Sequence, residues 1–213
     1  MTAHQATHSG RPELLAHALR LEYLTVGWNI IEGGIAVTAA LAASSVALFG
    51  FGIDSFVESA SGSVLIWRLL AERSARSHSE IEKLDRRAHK LVAFSLFALA
   101  AWVMFDGVQA LVMKDRPETS VIGIVLTSVS AAVMMWLARA KRRAARALGS
   151  RAMEADSFQT TACWWLSIIT LAGVTLNATL GWWWADPVAG LGMTLLLLKE
   201  GREAWKGEDD CCA

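Results

Sequence analysis

Runs of about 20 mostly apolar residues recur along this chain, and a run of that length crosses a bilayer as a helix. Several such runs fill most of the 213 residues, so little is left for a soluble domain. The fold class expected is all-α: an integral membrane bundle of six transmembrane helices. The spans are read at 23–43, 46–71, 91–113, 120–138, 153–180 and 187–198. On that map residues 1–20 form a cytoplasmic N-terminal segment, 21–205 the six-helix domain, and 206–213 a short Cys-containing tail. The first 20 residues are polar and lack the apolar stretch of a signal peptide, so the first span is expected to be retained. Trp182, Trp183 and Trp184 precede the last span, where indole rings suit the membrane interface.

Twenty basic and twenty acidic residues cancel to zero net charge, yet they are not evenly spread. With six spans, eighteen of the basic residues fall on one face, and only Lys114 and Arg116 fall on the other. The positive-inside rule then places both termini in the cytoplasm. An odd number of spans would mix the two faces. The basic block Lys141–Arg146 is read as part of this topology signal rather than as a nucleic-acid or anionic-lipid site. No nucleic acid is expected as a partner. The three cysteines do not suggest a disulfide framework. The expected location is the cell membrane, as a multi-pass protein in contact with the lipid bilayer.

A charged side chain at the centre of a bilayer costs roughly 2.5–3.5 kcal/mol on insertion scales, so such residues usually line a cavity or pathway. Here they are Glu32, Asp54, Glu58, Asp106, Glu154 and Asp156, accompanied by the amides Asn29, Gln109, Gln159 and Asn177. Asp54 and Glu58 are four apart and stack on one helix face. Two carboxylates so close in a medium of low dielectric repel when both are charged. A bound divalent cation relieves that repulsion by displacing a proton, which is the physical basis of metal–proton exchange. The other reading of the pair is a hydrogen bond between helices made by a protonated acid. Asn29 and Glu32 share a face of the first span. Glu32 is read as a ligand, a neighbour of the ligands, part of an access route or a packing group. Gln159 and Cys163 repeat the four-residue spacing in the fifth span. A lone membrane cysteine is usually a small packing residue, whereas a thiolate facing Asp54 and Glu58 would favour softer metals. Gly33-Gly34, Gly50-x-Gly52 and the small residues 59–63 allow helices to approach closely in lipid.

Two stretches resemble the cation diffusion facilitators. Residues 45–59, SVALFGFGIDSFVES, are similar to their second span, S-x-x-L…D-x-x-x-D, in which both acids bind metal. Residues 151–163, RAMEADSFQTTAC, are similar to the start of their fifth span, A-D-S-x-H-x-x-x-D, where the His and last Asp complete a tetrahedral zinc site. The resemblance implies that Asp54 and Glu58 match the two acids of the second span. Ala155-Asp156-Ser157 match the triplet. Gln159 stands where the His is, and Cys163 where the last Asp is. The implied metal ligands are therefore Asp54, Glu58, Gln159 and Cys163, with Asp156, Glu32 and Asn29 as further candidates. Gln is a weak zinc ligand. Either the ion differs or other groups are recruited, and with no His the titrating group becomes Asp54, Glu58 or Cys163.

The resemblance is to the short branch of that family, which lacks the C-terminal cytoplasmic domain. It implies a secondary transporter of divalent metal cations, zinc or a related transition metal, exporting them in exchange for protons. It also implies a homodimer. Metal and protons would be transported species, and no permanently bound cofactor is expected. The alternative is a non-transporting membrane partner that keeps the fold with an altered site. An enzyme is not expected: no nucleophile–base constellation is present, and the histidines, at 4, 8, 17, 78 and 89, all lie outside the spans. The adjacent Cys211 and Cys212, with Asp209, Asp210, His4 and His8, are read either as a metal-capturing set or as a flexible reduced tail.

Overall fold

Six helices and no strand make up the described residues, 11–73, 78–114 and 117–206, of the computed structural model. They are α1 (Arg11–Ala43), α2 (Val46–Arg73), α3 (His78–Met113), α4 (Val121–Leu148), α5 (Arg151–Leu180) and α6 (Ala185–Lys206). Four of them, α1, α3, α4 and α5, are long and apolar enough to cross a membrane by composition alone. In α2 the apolar character is diluted by Asp54, Glu58 and a run of serines. In α6 it is diluted by Asp186 and the charged end after Leu198. Large apolar side chains face outward, among them Phe105, Val112 and Leu195, each more than two-thirds exposed. Lipid, not water, suits such a surface.

The helices extend beyond the expected spans. α1 begins at Arg11, so part of the N-terminal segment is helical, and α4 runs ten residues past Ala138 to Leu148. Nothing in the sequence marks a stop there, because Arg, Ala and Lys are good helix formers whether or not lipid surrounds them. Ser150 then caps the start of α5 by accepting from the Met153 N–H, and Gly149, with φ 63°, ends α4 in the left-handed region. Residues 1–10 and 207–213 lie outside the described residues, and with them the reading attached to His4, His8, Cys211 and Cys212.

Neighbour follows neighbour around a ring in the order α1, α2, α3, α6, α5, α4, and α2 also touches α5 and α6 across the middle. Two apolar clusters are stacked along the bundle. One joins Leu15, Leu19, Leu65, Leu69, Leu137, Leu148 and Met153, near the basic face. The other joins Ala36, Ala40, Leu48, Phe51, Val103, Leu126 and Met193 toward the opposite face. Between them, on α1, α2, α4 and α5, lies a polar layer.

α1 and α2 are joined by a turn at Ser44, whose φ of 53° lets the chain reverse in two residues. The start of α2 is capped twice. Ser45 Oγ accepts from the Leu48 N–H, and Asp186 at the start of α6 accepts from Ser45 Oγ at 2.6 Å. A carboxylate at a helix N-terminus is stabilised by the helix dipole. The α3–α4 link is pinned as well, since Asn177 Nδ2 donates to the Pro117 carbonyl at 2.9 Å.

The small residues do bring backbones together. A Cβ on Gly52 would lie 2.9 Å from the Val37 nitrogen and 3.0 Å from the Ala36 Cβ. Backbone cannot step aside there, so Gly52→Ala must push α1 and α2 apart. The expected result is a loss of about 1–3 kcal/mol, the usual cost of overpacking, read as a lower melting temperature in detergent. An unchanged melt would show that the two helices are not held this closely.

Candidate functional site

Each helix around the polar layer buries a stripe of polar side chains and turns its apolar residues outward. On α1 the stripe is Glu22, Thr25, Asn29 and Glu32, all essentially inaccessible, while Tyr23, Leu24, Ile30 and Ile31 are exposed. The spacing is three or four residues, one helical face. On α2 the buried residues are Asp54, Ser55, Glu58 and Ser59, on α4 Thr127, Ser130 and Lys141, and on α5 Asp156, Thr160, Cys163, Ser167 and Thr170. Threonines and serines in these stripes mostly bond the carbonyl four residues back, as Thr25, Ser55, Thr160 and Ser167 do. That leaves the acids, amides and thiol to interact between helices.

Where α2 crosses α5, the Cys163 thiol donates to Asp54 Oδ2 at 3.2 Å. Glu58, one turn away, lies beside the same thiol, and its Oε2 accepts from Asn29 Nδ2 at 2.8 Å. Thus Asp54, Glu58, Cys163 and Asn29 are brought together from three helices. Ser167 and Ser130, 3.1 Å apart, tie α5 to α4 beside them. Glu32 is fully buried on α1, with Glu58 and Asp54 within electrostatic reach.

Two candidate residues are engaged elsewhere. Gln159 Oε1 accepts from Ser61 Oγ at 3.0 Å, and to reach Asp54 and Glu58 it would have to leave Ser61. Asp156 is bonded to Lys141. Among the described residues, no three His, Cys, Asp or Glu side chains stand close enough to hold one metal ion. The Cys163 thiol and Asp54 Oδ2 are joined by a hydrogen bond. Of the other acids and amides, Glu154 and Gln109 face outward, and Asn177 serves the α3–α4 link.

Lys141 corrects the sequence reading. Expected in a cytoplasmic loop as one of a basic block, it lies inside α4 with no exposed surface. Its Nζ donates to Glu22 Oε2 at 2.9 Å and to Asp156 Oδ2, joining α1, α4 and α5. A buried ammonium is tolerated only when paired in this way. Glu22 was not among the expected site residues either, although it continues the stripe Thr25, Asn29, Glu32 backward by one turn, and that spacing is the signal that would have found it. Glu200 is the third residue missed. It sits on α6, half-buried, with both carboxylate oxygens shielded and unbonded to any described residue, within electrostatic reach of Asp54 and Glu58. It continues the buried face of Met193 and Leu197.

Residues 24–206 match the cation efflux transmembrane domain. The chain is 28% identical over 181 residues to an uncharacterized transporter of Synechocystis sp., covering 84% of this chain and 58% of that protein. It is 29% identical over 128 residues to the cation-efflux pump FieF of Shewanella oneidensis, covering 60% of this chain and 41% of that protein. It therefore spans less than two thirds of the length of these curated relatives. The family match runs through all six helices and contains the acids of α2 and the thiol of α5, and the chain belongs to the cation efflux family as a multi-pass membrane protein.

Proposed function

We propose that this protein is a secondary transporter that exports a divalent transition-metal cation, zinc or a close relative, from the cytoplasm in exchange for protons. The observation that carries this is the contact between Cys163 on α5 and Asp54 on α2. These positions match two of the four ligand positions of the family pattern. The contact joins a proton donor and an acceptor that a metal would replace as a pair. Binding would transfer the thiol proton to water or a nearby carboxylate, so that cation and proton compete for one space. Glu58 supplies a second carboxylate, and the two acids and the thiolate, not close enough here to share one ion, would draw in around the cargo. Gln159 completes the set by exchanging Ser61 for the metal. A sulfur ligand in place of a carboxylate shifts preference toward zinc and cadmium over manganese. A homodimer, with each protomer carrying its own site, is part of this reading.

The test is flux. Proteoliposomes loaded with a zinc-sensitive dye and given an imposed pH gradient are expected to show gradient-dependent zinc movement. No flux of zinc, cadmium, cobalt, manganese or iron under any gradient would refute transport. One observation favours a second reading, a partner protein with an altered site: Gln159 is held by Ser61, away from the acids. That reading predicts that cells lose no metal tolerance when Asp54 or Glu58 is changed, while association with another membrane protein persists.

A further inference from the structure

The polar layer is chemically uneven. At the α2–α5 crossing it contains sulfur, and Asp54 Oδ2 takes the Cys163 thiol. At the α1–α2 contact the α1 side supplies only oxygen and nitrogen, and four acceptors lack donors. They are Glu32 Oε1 and Oε2, Asn29 Oδ1 and Glu58 Oε1, all shielded and none bonded to a described residue. Glu32 has no exposed surface. Its polar neighbours are Ser130 of α4 and Trp28, neither set in hydrogen-bonding geometry to it. The Ser130 hydroxyl is already paired with Ser167. A buried acceptor left without a partner costs about 1–3 kcal/mol, and more if charged. Four together on two helices are not a packing solution.

The geometry that gathers them is specific. Asn29 and Glu32 are three apart on one face of α1, and the Asn29 amide fixes Glu58 through its other oxygen, 2.8 Å away. Close approach of the two helices holds the group in place, since a Cβ on Gly33 would lie 2.9 Å from the Gly52 carbonyl oxygen. Lys141, the nearby ammonium, is bonded to Glu22 and Asp156, and its charge reaches Glu58 without a bond between them. No other cationic side chain among the described residues bonds to Glu32 or Glu58.

We propose that Glu32, Glu58 and Asn29 form a second cation site, built only of oxygen, which takes a hard divalent ion between α1 and α2. Two carboxylates balance a divalent charge, and the Asn29 carbonyl and Ser130 hydroxyl are ligands of the kind that manganese, magnesium and calcium accept. Glu58 belongs to both sites, with one face toward Cys163 and the other toward Asn29. The inference rests on the transport reading, because it takes Glu58 and Asp54 to face the cargo path. It adds that the protein distinguishes soft from hard cations by which side of Glu58 they occupy.

The experiment is a double comparison on the purified full chain in detergent. Manganese binding is followed by loss of the free-ion signal in electron paramagnetic resonance, and cadmium binding by calorimetry. Wild type is expected to bind both. Glu32→Gln is expected to weaken manganese by about tenfold or more, the scale of losing a supporting contact or ligand, and to leave cadmium unchanged, which also shows that the variant is folded. Cys163→Ser is expected to do the reverse. The second site is overturned if Glu32→Gln leaves manganese unchanged, or if either variant loses both ions together. Wild type that binds cadmium but not manganese overturns this inference alone. Wild type that binds neither overturns the transport reading with it.

Discussion

Asp54→Ala is expected to abolish metal flux in proteoliposomes. The loss should exceed the roughly 10- to 100-fold that outer contacts around a metal are worth. Asp54 is 3% exposed and accepts from the α5 thiol. Removing it takes away a carboxylate, the proposed ligand and the acceptor of the Cys163 thiol in one step. Asp54→Asn, which keeps the shape, should be equally inactive while running as a single species on gel filtration. Full flux in either variant would reduce Asp54 to a packing acid and remove the main support for the transport reading.

Lys141→Met should have the largest effect on stability. It leaves Glu22 and Asp156 facing each other, with side chains 0% and 6% exposed, and no counter-charge. Breaking a buried pair by removing one partner costs about 3–5 kcal/mol. That is a third or more of the total stability of many domains, about 5–15 kcal/mol. The expected observation is a large fall in the melting temperature in detergent, or failure to accumulate in the membrane. Neutralising all three, with Glu22→Gln and Asp156→Asn added, should recover most of it, because replacing a whole buried ionic set is often nearly neutral. A single variant that melts like wild type would show that the ammonium is not the pin joining α1, α4 and α5.

The helices were legible because apolar runs of this length have few other uses. Asp54 and Glu58 were legible for the complementary reason: a charge inside such a run stands out against its neighbours. Lys141, Glu22 and Glu200 were hidden by the same logic reversed. They lie in charge-dense ends of helices, where composition cannot separate a solvated turn from a helix that continues inward with one face buried. Only the period of the buried face distinguishes them, as in Glu22, Thr25, Asn29 and Glu32. The positive-inside count survives the correction, since it needs only the side on which each residue lies, and Lys141 stays at the basic end of α4. Cys163 and Gln159 share a four-residue spacing, yet one meets Asp54 and the other meets Ser61. Spacing places two side chains on one face. It does not say which neighbour each will reach, because that depends on the tilt of α5 against α2.

The Glu22–Lys141–Asp156 link also has an order in time. A ribosome delivers Glu22 first, 119 residues ahead of Lys141, and Asp156 last, 15 residues behind it. When α4 leaves the translocon it carries Lys141, and of the two acids that bond this lysine only Glu22, on α1, has already been made. Capture by Glu22 would therefore seat α4 against α1 before α5 exists, and Asp156 would arrive to close a hairpin whose first arm is in place. The ring α1, α2, α3, α6, α5, α4 thus holds an assembly instruction: the helix made fourth is directed back to the helix made first.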